Sequence, residues 1–312
     1  MHRTRHQRSR QSHYLLLVNQ SAGNYSRDKV SDLISAIRSK QGFYTVLSPD
    51  SASRMTSMAR TNVGLQPARR PLPQAVTRRG KVSAIVACGG DGTFNLAARI
   101  AMDAELPVGL LPLGRFNNIA KSLFGTDKPD PGAVVEGNYR TIDVGTIDNL
   151  TFFGSLGLGF IPQLAEELQD TKLPRFGFGW SRLAGRTAAK VKLRKSVIKI
   201  DSFIFELSPL MINVNLLSYS SGLPLSTSSL ADDGHAEVIF DQGSQMGEFA
   251  TFARQIASGK YYYGSDFHLY RGQIIRIQSR AGRQLYLDGE LIKSPTAELA
   301  VEILEKKLKV FC

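Results

Sequence analysis

Cys88-Gly89-Gly90-Asp91-Gly92-Thr93-Phe94-Asn95 directly follows the apolar run Val82-Ser83-Ala84-Ile85-Val86-Ala87. A strand running into three glycines around one carboxylate lets bare backbone N–H groups approach a polyphosphate, with an acidic side chain beside the charge. The stretch outlines a nucleotide site. Taken alone it also fits a tight strand-to-helix connection.

The sequence on either side repeats the strand-then-helix pattern. Tyr14–Val18 predicts a strand, the turn Asn19-Gln20-Ser21-Ala22-Gly23 follows, and Val30, Leu33, Ile34 and Ile37 fall at helical spacing behind Ser26 as N-cap. Phe43–Leu47 reads as a strand and Ser51–Arg60 as a short helix. The proline- and arginine-containing segment 61–80 suits an exposed loop. After Val82–Ala87, a helix is expected from near Thr93. Pro107–Leu111 then reads as a strand ending in Pro112-Leu113-Gly114, ahead of a helix through Ile119 and Leu123. Such alternation argues for a parallel sheet covered by helices, with ligands at the carboxyl ends of its strands.

Beyond about Asp143 the pattern changes to short strands with turn signals: 151–155, 197–201, 211–217, 236–240, 273–278 and 284–287. This predicts an antiparallel sandwich. One helical insert, 180–195, is expected to interrupt it. The fold class is therefore an α/β N-terminal domain with a parallel sheet plus a C-terminal antiparallel β-sandwich domain. The expected division is a disordered basic tail at 1–13, a first domain at 14–142 to which 296–312 return, and a second at 143–295.

A chain of 312 residues with 42% hydrophobic content is long enough to bury two ordinary cores. The formal net charge of +12 implies an anionic partner: nucleic acid, a membrane surface or a phosphorylated substrate. No apolar run reaches the roughly 20 residues of a spanning helix, and no nucleic-acid module is recognisable. Arg3, Arg5, Arg8 and Arg10 before Tyr14–Val18 imitate a signal peptide, but the apolar core is short and Asn19 ends it. Cys88 and Cys312 give no disulfide framework and fit a reducing cytoplasm. The segment 171–195 carries eight lysines and arginines and no acid, and Arg182, Arg186, Lys190 and Arg194 recur every four residues. With Phe176, Phe178 and Trp180 at its start, it reads as a peripheral contact with anionic membrane or as a solvated charged face.

Gly89–Asn95, followed by Leu111-Pro112-Leu113-Gly114-Arg115-Phe116-Asn117-Asn118-Ile119-Ala120, resembles the two glycine motifs of the diacylglycerol kinase catalytic family, which includes bacterial lipid kinases and sphingosine kinases. Asn19–Gly23 looks like the family's first phosphate-side turn, Asp232-Asp233-Gly234 like its metal-site turn and Asp288-Gly289-Glu290 like its catalytic turn. Alone, the last two read as a loop and a hairpin turn. The resemblance implies a cytoplasmic, membrane-peripheral lipid kinase using ATP and Mg²⁺, with diacylglycerol as the family's default acceptor. Nucleotide contacts would fall on Asn19, Gln20, Ser21, Ala22, Gly23, Ser48, Gly89, Gly90, Asp91, Gly92, Thr93, Phe94, Asn95, Gly114, Arg115 and Asn117. A structural metal would take the Asp233 side chain and the Leu230 and His235 carbonyls, with Asp143 near the catalytic metal. Asp91 would hold Mg²⁺, and Glu290 would accept the lipid hydroxyl's proton.

Arg115, Phe116 and Asn118 depart from the family's second motif, which usually has a threonine, a small residue and an aspartate there. Leu96 stands where a glutamate is common. Two alternatives follow: a catalytically impaired lipid- or nucleotide-binding relative, and an NAD kinase-like enzyme, because that related family shares the Gly-Gly-Asp-Gly turn.

Overall fold

Four of the apolar runs form one parallel sheet. The protein is described by a computed structural model covering residues 12–66, 80–169, 178–226, 228–243, 267–294 and 296–311, with backbone only at Gln169, Phe178, Trp180 and Ser181. The chain divides into two compact units. The first comprises Met1–Gly114, Pro129–Arg140 and Val310–Cys312, and the second comprises Arg115–Lys128 and Thr141–Lys309.

In the first unit, β1 (His13–Val18), β2 (Phe43–Leu47), β3 (Ala84–Gly89) and β4 (Val108–Pro112) lie in the order β2-β1-β3-β4, all parallel. Val310 adds a parallel pairing beside Val108. β1, β3 and β4 are buried along their whole length, which is why they read as continuous rather than alternating apolar runs. Helices α1 (Arg27–Ser39), α2 (Ala52–Asn62) and α3 (Asp91–Asp103) connect the strands. Ser26 caps α1 through the Lys29 N–H and Ser51 caps α2 through the Arg54 N–H. Leu33 and Ile37 of α1 pack on Leu16, Val86 and Cys88, and burying each such side chain contributes roughly 1.5–3 kcal/mol. The Cys88 thiol is enclosed, and burial pushes its pKa up to about 12, so it is chemically quiet.

β1 begins one residue earlier than expected, because His13 is buried, with Nε2 2.9 Å from the Thr45 Oγ1 and Nδ1 3.0 Å from the Gly80 carbonyl oxygen. Residues 1–11 of the expected basic tail, and most of the expected 61–80 loop, lie outside the described residues.

The second unit is built from two antiparallel arrays. One contains β5 (Tyr139–Ile147), β6 (Leu150–Phe152), β8 (Ser196–Ile200), β9 (Phe203–Leu207), β13 (Ile274–Gln278) and β16 (Glu298–Phe311). The other contains β7 (Ser155–Gly159), β10 (Met211–Asn215), β11 (Ala236–Asp241), β12 (Phe267–Gly272), β14 (Gln284–Leu287) and β15 (Glu290–Lys293). Both arrays contribute to a single core that includes Phe152, Ile198, Ile277 and Leu299 from the first and Leu158, Val214, Phe240 and Leu285 from the second. This is the predicted sandwich. On the outer face of the second array, α5 (Phe160–Gln169) and α6 (Phe178–Lys190) bury Ile161, Leu164, Ala184 and Ala188 against Met211, Ile239 and Tyr286.

Several expectations are corrected here. The insert is two helices rather than one, since α5 precedes it. α6 stops at Lys190, so Arg194 leaves the four-residue stripe, and the Lys190 ammonium pairs with the Glu167 Oε1 at 2.7 Å. Residues 171–177, including Phe176, lie outside the described residues. Residues 115–128 pack with the second unit, because α4 (Asn118–Phe124) is tied to the 216–223 segment. Only Val310–Cys312 group with the first unit, because Glu298–Glu302 pair with β13.

Candidate active site

Three turns meet at the carboxyl ends of β1, β3 and β4. The Asn19 N–H donates to the Cys88 carbonyl at 3.0 Å, and the Asn19 side chain accepts from the Ser21 N–H at 3.0 Å while its Nδ2 donates to the Thr93 Oγ1 at 3.4 Å. Asn24 reaches the next turn twice: its N–H donates to the Leu113 carbonyl at 2.8 Å and its Nδ2 to the Gly114 carbonyl at 2.6 Å. Leu113 donates in turn to the Gly89 carbonyl at 2.8 Å. Asn24 was not recognised from sequence, where it reads only as a polar residue beyond a turn.

Glycine is needed at the centre of this corner. A Cβ on Gly90 would lie 3.0 Å from the Gly114 Cα, backbone against backbone, and one on Gly89 would lie 2.3 Å from the Thr93 Oγ1. Gly90 is the N-cap of α3 and offers no side chain to close the helix end, so the helix N-terminus presents N–H groups and a positive dipole. Asp91 is half-exposed in the first turn, and Gly92 has open space around its Cα. Gln20, Ser21 and Gly23 are exposed, and Ser48 is exposed just after β2. Thr93, Phe94 and Asn95 differ from the expectation: all three are buried, with Phe94 fully in the core, because they are the inward face of α3. Their side chains build the corner from behind.

The second glycine turn is divided between the units after Gly114. Arg115 is exposed and its guanidinium donates to the Leu168 carbonyl at 2.8 Å, with the Phe116 ring 5.4 Å below it. Asn117 is buried with φ of 51° as the N-cap of α4, and the buried Asn118 Oδ1 accepts from the Gly222 N–H at 2.8 Å. In this structure the guanidinium expected on a nucleotide holds the end of α5.

Asp143 and Asp233 both have protein partners. Asp143 is 1% exposed and accepts from the Gly234 N–H at 2.7 Å and the Lys306 N–H at 2.8 Å, while its own N–H donates to the Ala231 carbonyl at 2.7 Å. Burial raises its pKa above the usual carboxylate value, the two N–H donors pull it down, and the Asp233 and Glu305 charges push it up. The Asp233 carboxylate is ion-paired to Arg271 and accepts from the His235 N–H at 3.0 Å. His235 is held by the same turn, with Nδ1 2.6 Å from the Asp233 carbonyl oxygen, and Leu230 is 56% exposed. In this arrangement a guanidinium supplies positive charge at Asp233, and each oxygen of Asp143 accepts one backbone N–H. Asp91 does fit a hard cation, since Mg²⁺ is held by one or two carboxylates together with phosphate oxygens.

The hairpin from β14 to β15 turns through Asp288 at φ 51° and Gly289 at φ 100°. The Asp288 carboxylate is buried and accepts three backbone donors, from Phe153 at 2.5 Å, Gly154 at 2.8 Å and Ser155 at 2.7 Å. Glu290 follows on the exposed end of β15. A buried carboxylate thus fixes the hairpin that displays an exposed one, a clamp that nothing at Asp288 in the sequence announces.

Residues 13–147 match the diacylglycerol kinase catalytic domain. The family resemblance is borne out, and it covers the glycine corner. A Staphylococcus aureus protein carrying a lipid-kinase name is 30% identical over 168 residues, 53% of this chain and 52% of its own. A diacylglycerol kinase of Staphylococcus saprophyticus is 23% identical over 212 residues, 66% of this chain and 70% of its own. In its match to the first of these, the chain spans about half the relative's length. A solved diacylglycerol kinase structure from Bacillus anthracis superposes with a TM-score of 0.69 at 16% identity, covering 96% of both chains. A second structure from that organism reaches 0.74 at 16% identity over 96% of both. At this identity the likeness shows a shared fold over 96% of the chain.

Proposed function

We propose that this chain is an ATP-dependent lipid kinase acting on a lipid hydroxyl, with diacylglycerol as the acceptor. The observation that carries the reading is the corner of Asn19, Gly89–Gly92 and Gly114, where three turns cross-brace an uncapped helix N-terminus beside a half-exposed aspartate. Phosphoryl transfer requires fixed positive dipoles along the phosphates and a positioned acceptor, so preorganised backbone of this kind supplies what the chemistry needs.

ATP, when bound, brings the transferable phosphoryl group, with Mg²⁺ neutralising its oxygens. The α3 N-terminus and the glycine amides would hold the phosphates, Asp91 would orient the cation, and Glu290 would accept the hydroxyl proton as the lipid oxygen bonds phosphorus and ADP leaves. Arg115 and Phe116 are committed to Leu168 and to the second unit's core, which favours an active enzyme over an impaired relative. No helix among the described residues is long and apolar enough to cross a membrane. We propose that the enzyme works peripherally on an anionic cytoplasmic surface, a reading supported by the formal net charge of +12.

Purified chain incubated with ATP, Mg²⁺ and a panel of lipids, with NAD as a separate acceptor, is analysed by mass spectrometry. A phosphorylated lipid is expected. Phosphorylation of NAD alone, or of nothing, overturns the proposal.

A further inference from the structure

The second unit gathers cations from separate parts of the chain around a hollow that the kinase chemistry does not use. The segment leaving α6 supplies Lys192 and Arg194, and the β13–β14 connection supplies Arg280 and Arg283. A cavity of about 220 Å³ is lined by Lys190, Lys192, Arg194 and Arg283, and an adjoining one of about 250 Å³ by Arg194, Arg280 and Arg283. Among the described residues no carboxylate lines either hollow. Lys190 is paired with Glu167, but none of the described carboxylates pairs with Lys192, Arg194, Arg280 or Arg283.

The arrangement is held in place before any ligand arrives. The Arg283 backbone is fixed on both sides, since its carbonyl accepts from the Ser294 N–H at 2.7 Å and the Gly282 N–H donates to the Ser294 carbonyl at 3.1 Å. Its guanidinium donates to the Ser279 Oγ at 3.1 Å, and the Arg194 carbonyl accepts from the Ser196 Oγ at 3.3 Å. Two guanidinium groups thus share one concave surface without a counter-charge among the described residues. Burial, and then the Arg194 charge, hold Arg283 below the usual arginine value, the cost of that unneutralised pair.

We propose that Arg194 and Arg283, with Lys192 and Arg280 at the rim, form a binding site for a phosphomonoester or inorganic phosphate dianion. Guanidinium forks match tetrahedral oxyanions in pairs, and a dianion neutralises two converging cations at once. The hollows are smaller than the roughly 300–1,000 Å³ of sites for drug-sized ligands, which suits a phosphate group rather than a whole nucleotide. The occupant is either free phosphate or the headgroup of an anionic lipid.

Inorganic phosphate is titrated into the full chain at constant ionic strength held with chloride, following binding by calorimetry and the melting temperature in parallel. Saturable binding is expected, weakened about tenfold in Arg194→Met and again in Arg283→Met. Without phosphate, Arg194→Met is expected to melt no lower than wild type, because it removes a like charge; an arginine that merely braces the fold would lower it. Flotation with phosphatidylcholine vesicles, with and without phosphatidic acid, separates the sources. Capture by phosphatidic acid that free phosphate competes away assigns the headgroup, and phosphate binding without such capture assigns the free anion. Phosphate acting no differently from chloride, or equal binding by wild type and both variants, overturns the site.

Discussion

The glycine corner of the first unit and the acidic turns of the second use opposite means to hold a loop. At the corner, asparagine amides and backbone groups brace Asn19, Gly89–Gly92 and Gly114, and Asp91 stays half-exposed. In the second unit, carboxylates do the bracing: Asp288 gathers three backbone N–H groups, Asp143 gathers two, and Asp233 holds Arg271. An aspartate that organises backbone from within the fold offers less of its carboxylate to a ligand than an exposed one does. Of the acidic residues the family pattern singles out, Asp91 is half-exposed and Glu290 exposed.

The largest expected effect is on the bracing side. Asp288→Ala leaves three buried N–H groups without their charged acceptor, and hydrogen bonds to charged groups contribute roughly 1.5–3 kcal/mol each, though not additively. A loss of about 4 kcal/mol in urea denaturation is expected; a change within experimental error would break the distinction between the two regions. On the other side, Asp91→Asn should lower lipid-dependent turnover on the order of a hundredfold while leaving unfolding free energy within about 0.5 kcal/mol of wild type. A variant that unfolds easily would show that Asp91 belongs with the bracing carboxylates.

Asp143 separates the two kinds of carboxylate by pH. Its raised native value means that the folded protein keeps the proton after the unfolded chain, near pH 4, has released it. Its contribution to stability is therefore fully present below the unfolded value and declines as pH rises through the native one. Asp143→Asn removes that decline, so the wild-type melting temperature relative to the variant should fall as pH rises from about 4 towards neutrality. A relative rise would mean that the backbone donors outweigh burial. The smallest effect is expected at Arg115. Because its guanidinium is held on Leu168, Arg115→Ala should cost about 1 kcal/mol of stability and leave the KM for ATP nearly unchanged. A large rise in KM would return this arginine to the nucleotide.

The first unit was largely legible because its signals are local. Fully buried parallel strands read as uninterrupted apolar runs, and Ser26 and Ser51 mark helix starts by a mechanism that operates within one turn. The second unit was legible as a class but not in detail. β9 is partly exposed, with weak alternation, and α5 opens on Phe160-Ile161-Pro162 with no cap signal, so these elements passed unrecognised. The carboxylates were least legible. Asp143 meets its partners at Gly234 and Lys306, and Asp288 meets its partners at Phe153 to Ser155, contacts that only the folded topology creates. The family resemblance grouped Asp143 and Asp233 with Asp91 as metal ligands, and the partners of the first two are contacts that only the folded topology shows. The same is true of Arg194 and Arg283, which no spacing rule would join.

The most direct test compares wild type with Glu290→Gln for ADP release in the presence of diacylglycerol vesicles. We expect lipid-dependent release by wild type and a fall of roughly 10²–10⁴-fold in the variant at unchanged melting temperature. No lipid-dependent release by wild type, or equal release by both, would contradict a kinase that uses Glu290 as its base.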